Sequence, residues 1–113
     1  MMMMQKVFAR ILELGIPSMA VFNGHAIAGG VFIGLACDRL IMNADPKFTI
    51  CLNELTFGKA IPYSYVKFIK DLTSPRLGRT LIIGTKLSPQ EAKRLDLIQD
   101  LYSTDSELEA KIQ

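Results

Sequence analysis

The run Asn23-Gly24-His25-Ala26-Ile27-Ala28-Gly29-Gly30 holds the residues of this chain best suited to chemistry. An apolar segment, residues 19–22, reads as a buried strand that stops at Asn23-Gly24, a strong turn signal. An apolar helix follows the small residues. A strand running into a glycine-rich bend and then a helix aims free backbone N–H groups at one point, where the helix N-terminus adds positive partial charge. A negatively charged oxygen suits that arrangement. Small side chains at Ala28, Gly29 and Gly30 let it approach the backbone closely. Spacing alone favours a plainer role, the tight packing of helix against strand.

Two familiar glycine loops are excluded. Gly24 to Gly29 has the spacing of a phosphate loop, but Gly30-Val31 follows where Lys and Ser/Thr are required. No G-x-G-x-x-G occurs, so the dinucleotide fingerprint is absent. His25 is the single histidine, and too few ligands gather near it for a metal site. It reads as a structural or substrate-lining residue at the turn. Cys37 and Cys51 stand in apolar surroundings without a C-x-x-C, as two buried thiols of a reducing compartment would. Glu54 falls in a loop, where a carboxylate is ordinarily solvated or paired with a surface cation.

The elements that must position these residues follow from periodicity. Residues 2–14 form an amphipathic helix with Val7, Phe8, Ile11, Leu12 and Leu14 as its apolar side chains. Gly15 is placed to cap it, and Pro17 prevents its resumption. The central helix, residues 28–37, is apolar nearly all round and should be buried. Residues 38–42 and 47–52 read as strands on either side of a turn at Asn43-Ala44-Asp45-Pro46. Pro62 opens a helix to residue 72 that buries Tyr65, Phe68 and Ile69. Thr73-Ser74-Pro75 caps a helix ended by Gly84. Ser88-Pro89-Gln90-Glu91 is a capping box, and residues 97–101 are a further strand. Thr104 to Glu107 repeats the box before a polar last helix. Strands alternating with helices indicate an α/β fold with crossover connections.

The 113 residues suit one domain at most, and 50% hydrophobic with 21% charged is a core-forming composition. A net charge of +2 without a basic run gives no sign of a nucleic-acid partner. No apolar run is long enough for a membrane span. Neither a secretory signal nor a C-terminal peroxisomal address is visible.

The wording of the central stretch is more specific than its spacing. Pro17-Ser18-Met19-Ala20-Val21-Phe22-Asn23-Gly24-His25-Ala26-Ile27-Ala28-Gly29-Gly30, followed by Ala36-Cys37-Asp38-Arg39-Leu40-Ile41-Met42, resembles the crotonase superfamily, the enoyl-CoA hydratase/isomerase family. The likeness runs from about Phe8 to Tyr102. It implies a partial crotonase-like spiral of strand–strand–helix turns, with residues 1–113 as a single partial domain lacking the family's N-terminal half and C-terminal helices. It also implies an acyl-CoA thioester as substrate and no further cofactor. The enolate formed beside the thioester would be held by two backbone N–H groups, each such donor being worth a few kcal/mol. Gly29 matches one donor; the Ala/Ser-Gly-x-Asp-type stretch that carries the other does not occur before Pro17. Hydratases of the family carry two glutamates. The first position is Phe32 here, and the second is Glu54 in Asn53-Glu54-Leu55, followed by Gly58 and Pro62. Hydration needs one group to deprotonate water and one to deliver a proton. A single carboxylate instead suits the shift of a 3-enoyl-CoA double bond to the 2-position, as in the monofunctional enoyl-CoA delta isomerases of fatty-acid oxidation.

On that resemblance the catalytic positions are Glu54, as base, and Gly29, as oxyanion donor. His25, Ala28, Gly30, Phe32 and Phe57 line the substrate. Phe32, Leu52, Leu55 and Phe57 would be apolar neighbours that raise the pKa of Glu54. The family implies a mitochondrial or peroxisomal location, and a homo-oligomer or a subunit of a larger assembly. The alternatives are an inactive remnant that serves as a structural subunit, exposing sheet edges and an apolar face, or a segment of an ordinary isomerase.

Overall fold

The computed structural model describes residues 2–53 and 63–113, with side chains from residue 5 onward. Strand β1 (Met19–Phe22) lies at the edge of a parallel sheet and pairs with β3 (Arg39–Asn43) in the register Met19↔Arg39 to Phe22↔Met42. On its other side β3 pairs with β5 (Asp100–Tyr102), Ile41 opposite Asp100 and Asn43 opposite Tyr102, giving the order β1-β3-β5. Parallel pairing requires a crossover between neighbours. The first crossover holds β2 (Ala26–Ile27) and α2 (Gly29–Ala36). The second holds β4 (Ile50–Cys51), α3 (Tyr63–Leu72), α4 (Pro75–Ile82) and α5 (Pro89–Arg94). Helix α1 (Met2–Leu12) precedes β1, and α6 (Asp105–Ile112) follows β5. A second, two-stranded parallel sheet joins β2 to β4, Ala26 opposite Ile50 and Ile27 opposite Cys51. The α/β alternation expected from the sequence is therefore present.

Helix α2 is the centre of this arrangement. Val31, Phe32, Gly34 and Ala36 are buried, and the core around them includes Leu40, Met42, Ile50, Leu52, Ile69 and Leu81. The helix ends follow their local chemistry. Ser74 Oγ accepts the Leu77 N–H (3.2 Å) with Pro75 at the first helical position, and Ser88 with Glu91 completes a reciprocal capping box. Gly84, at φ 84°, closes α4 with the pair Gly84 N–H to Leu81 O (3.0 Å) and Thr85 N–H to Thr80 O (3.2 Å), a Schellman motif. Asp96, at φ 65°, closes α5 in the same way through Leu97 N–H to Ala92 O (2.9 Å).

Several boundaries differ from the sequence expectation, each for a hydrogen-bonding reason. Residues 47–52 shorten to Ile50–Cys51. The Asn43 side chain takes the Asp45 N–H, the Asp45 side chain takes the Lys47 N–H (3.0 Å each), and Asp45 O takes the Phe48 N–H. Such side-chain turns compete with a strand. The strand expected at residues 97–101 moves to Asp100–Tyr102, because Leu97 and Ile98 both turn their N–H groups back to Ala92 O. Strand β2 was hidden in the small-residue bend and forms only because β4 is there to pair with it. Helix α1 stops at Leu12, and no left-handed conformation occurs at Gly15. At the last helix Thr104 Oγ accepts from Glu107 N–H, but the Glu107 carboxylate turns to Ser103 N–H rather than Thr104, so the reciprocal box is displaced by one residue.

Candidate functional site

The site is built where β2 hands over to α2. Ala28 N–H donates to Cys51 O (2.9 Å), which ties the bend to the end of β4. Ala28 then adopts φ 55° and ψ −113°, and its carbonyl accepts from Val31 N–H (3.0 Å) and Phe32 N–H (3.4 Å). This is a backbone region that alanine rarely enters, and such strain gathers at functional sites. With the Ala28 carbonyl directed into the helix, the N–H of the same peptide plane, that of Gly29, faces the opposite way. No side chain caps α2, and the Gly29 and Gly30 N–H groups have no hydrogen-bond partner among the described residues. Gly30 is open as well: a Cβ built there would meet nothing within 4 Å. The first turn of α2 thus presents donors that have no partner among the described residues, an arrangement that can hold an oxyanion.

His25 stands at the entry to β2. Its Nδ1 accepts the Thr49 N–H (3.0 Å), and its ring meets Phe48 edge-on at 5.3 Å. The imidazole therefore fixes the start of the β2–β4 pairing, which in turn fixes Ala28. Ala28, Gly29, Gly30 and Phe32 share one helical turn, while His25 acts on that turn through β4. Glu54 and Phe57, the expected base and one of the expected lining residues, lie outside the described residues, as does Leu55.

Phe32 is 1% exposed and sits among three other rings. Tyr65 on α3 is 4.7 Å from it between ring centroids, Phe8 on α1 is 5.7 Å away, and Phe68 on α3 is 6.2 Å away. This cluster locks α1 and α3 against the first turn of α2. Among the described residues, aromatic rings surround Phe32, the position that the family resemblance gives to the first acid of the two-glutamate pattern. Leu52, at the end of β4, is fully buried. The helical face of Phe8 was legible from spacing, but its meeting with Phe32 was not, because periodicity assigns a face and not a partner.

Asp100 in β5 accepts from Lys111 Nζ (2.8 Å) and from Arg39 (2.7 Å). The Lys111 hydrogen bond, with Arg39 adding to it, holds the Asp100 carboxyl below the usual carboxylate range. These ion pairs tie β3, β5 and α6 together. Among the described residues, no group of three or more His, Cys, Asp or Glu could hold a metal ion. No described helix is long and apolar enough to cross a membrane.

Comparison with known proteins agrees with this geometry. Residues 2–113 match the family model for enoyl-CoA hydratase/isomerase. The chain is 30% identical over 106 residues to the mitochondrial enoyl-CoA delta isomerase 1 of Mus musculus, covering 89% of this chain and 35% of the relative. It is 32% identical over 103 residues to the peroxisomal enoyl-CoA delta isomerase 2 of Arabidopsis thaliana, covering 89% of this chain and 42% of that one. The chain therefore spans well under half the length of these relatives. Its fold superposes on the crystal structure of an enoyl-CoA hydratase from Thermoplasma volcanium with a TM-score of 0.85, at 22% identity over 98% of this chain and 44% of that chain. A strained Ala28, an uncapped glycine turn and a match along residues 2–113 lead to one conclusion: the chain belongs to the enoyl-CoA hydratase/isomerase family, the crotonase superfamily.

Proposed function

We propose that this chain carries the oxyanion-binding part of an enoyl-CoA delta isomerase, which shifts the double bond of a 3-enoyl-CoA to the 2-position in fatty-acid oxidation. The observation that carries the reading is Phe32, buried in an aromatic cluster at the position where a hydratase pattern needs an acid. Removing the α-proton of the thioester places negative charge on the carbonyl oxygen. The Gly29 N–H, without a partner among the described residues and at the positive end of α2, offers a preorganised donor to that charge. Glu54 would take the proton and return it to the γ-carbon, so that a single carboxylate serves both transfers. The step is a proton shuttle and calls for no redox group. Delta isomerases from mitochondria and peroxisomes among the relatives support either compartment for this chain.

The test is an assay of the purified chain with 3-hexenoyl-CoA, set beside hydration of 2-hexenoyl-CoA. Isomerisation without hydration is expected, falling at least about 100-fold in Glu54→Ala while the circular dichroism spectrum stays unchanged. Hydration as the dominant activity, or unchanged isomerisation in Glu54→Ala, would overturn the assignment.

A further inference from the structure

The β2–β4 ladder is completed by a side chain. Each strand is only two residues long, so a single rung is a large share of what joins them. Two rungs follow one another at two-residue steps: Ala28 N–H donates to Cys51 O and Ala26 N–H to Thr49 O (2.9 Å each). The next step of this parallel ladder would join Thr49 N–H to the carbonyl of residue 24. There the chain has already left the sheet, in the bend at Asn23-Gly24. His25 supplies the acceptor instead, its Nδ1 taking the Thr49 N–H at 3.0 Å. A backbone N–H can only donate, so Nδ1 is bare and the ring carries its proton on Nε2. A second proton would turn Nδ1 into a donor, and the rung would be lost. The far end of the same ladder is Ala28, held at φ 55° by its rung to Cys51, a conformation that lasts only while its neighbours impose it. Ala28 in turn orients the peptide plane that carries the Gly29 N–H. Leu87 grips β4 from the other side, through Ile50 N–H to Leu87 O (2.9 Å) and Leu87 N–H to Ile50 O (2.8 Å). Loss of the His25 rung therefore loosens the turn and leaves β4 in place.

We propose that His25 is a positioning residue for the oxyanion turn, acting through Thr49 and β4, and that it does so only in the form protonated on Nε2 alone. The effect on a ligand rests on the acyl-thioester reading above. The ring meets Phe48 edge-on at 5.3 Å, and Lys47 Nζ lies 5.1 Å from the centre of the Phe48 ring and 3.6 Å from Asp45. Among the described residues, Lys47 and Asp45 are the charged groups on the segment packed against the imidazole. Lysine and aspartate ordinarily titrate well away from the imidazole range. A change between about pH 8 and about pH 5 is therefore assigned to His25.

NMR of the isotope-labelled chain from about pH 8 to about pH 5, with calorimetric binding of hexanoyl-CoA, tests this. The imidazole nitrogens should report the Nε2-protonated tautomer at the upper pH. The Thr49, Gly29 and Gly30 amide resonances should then shift in step with protonation of His25. Over the same range, hexanoyl-CoA affinity should fall about fivefold more in the wild type than in His25→Asn, the worth of one hydrogen bond. The Asn Oδ1 sits where Nδ1 does, so that variant should keep the glycine amides in place at every pH. His25→Gln sets its acceptor one bond too far and, like His25→Ala, should show displaced glycine amides and weaker binding throughout, with an unchanged circular dichroism spectrum. Glycine amides that ignore His25 protonation, or an Asn variant that behaves as the Ala variant does, would overturn the proposal. Weaker binding in His25→Asn with unmoved glycine amides would overturn it too, because the ring would then be touching the ligand. Amide shifts as expected with no binding of hexanoyl-CoA by any form would support the role of His25 and overturn the acyl-thioester reading instead.

Discussion

The two ends of α2 are made of the same small residues and do opposite work. At the N-terminal end, beside the β2–β4 pair, Gly30 has open space where a Cβ would be, and the Gly29 and Gly30 N–H groups have no partner among the described residues. At the C-terminal end, Gly34 is pressed against the β1–β3 layer. A Cβ there would collide with the ring of Phe22 and come within 2.8 Å of Leu40 Cδ2. The glycine required for tight helix–strand packing is thus Gly34, and Gly30 is left available for a ligand. Glycine in a helix costs stability relative to alanine. At Gly34 close packing against the strand layer offsets that cost. At Gly30 nothing in the fold does, which is consistent with a functional use of the open turn.

The sharpest way to break this contrast is Gly34→Ala. Overpacking against Phe22 and Leu40 should destabilise the chain by about 2–3 kcal/mol, read as a lowered denaturation midpoint with an unchanged slope. A neutral effect would mean that the packed end is no tighter than the open one. Gly30→Ala should have the opposite sign. With no clash to offset the gain in helix propensity, stability should rise by up to about 1 kcal/mol. Binding of an acyl-CoA should weaken in the same variant, because a methyl group intrudes on space a carbonyl oxygen would use. A rise in stability with unchanged binding would argue that the open end is merely exposed.

The smallest effect concerns the sheet behind the packed end. Lys111, and after it Arg39, hold the Asp100 carboxyl below its ordinary pKa. A carboxylate depressed in the folded state contributes stability that is fully present above its unfolded pKa of about 3.9. That contribution is lost as pH falls through the lower folded value. Denaturation midpoints should therefore decline below about pH 4, and part of that slope should vanish in Asp100→Asn. A slope identical in the variant would show that the ion pairs do not couple β3, β5 and α6.

Much of this was legible in the sequence, for stated reasons. Periodicity placed β1, α2 and α3, since a helix or strand must bury its apolar face whatever its partner. Cap residues placed the starts of α4 and α5, because Ser74 and Ser88 act on their own next turn. The glycine pair marked the open turn. What escaped was non-local. Strand β2 exists because Thr49, Ile50 and Cys51 come alongside it, and no propensity in Ala26-Ile27 announces that. Single-residue spacing could not show which glycine packs and which stays open, because that depends on Phe22 and Leu40 from other strands.

The sequence by itself determined the α/β class, the family wording and the residue types of the site, all of which depend on neighbours along the chain. The tertiary structure alone decided that Ala28 is strained and Phe32 ringed by Phe8, Tyr65 and Phe68. It also left the Tyr65 hydroxyl without a partner among the described residues. These facts arise where distant segments meet, and a one-dimensional pattern fixes the face a residue presents but not what it finds there.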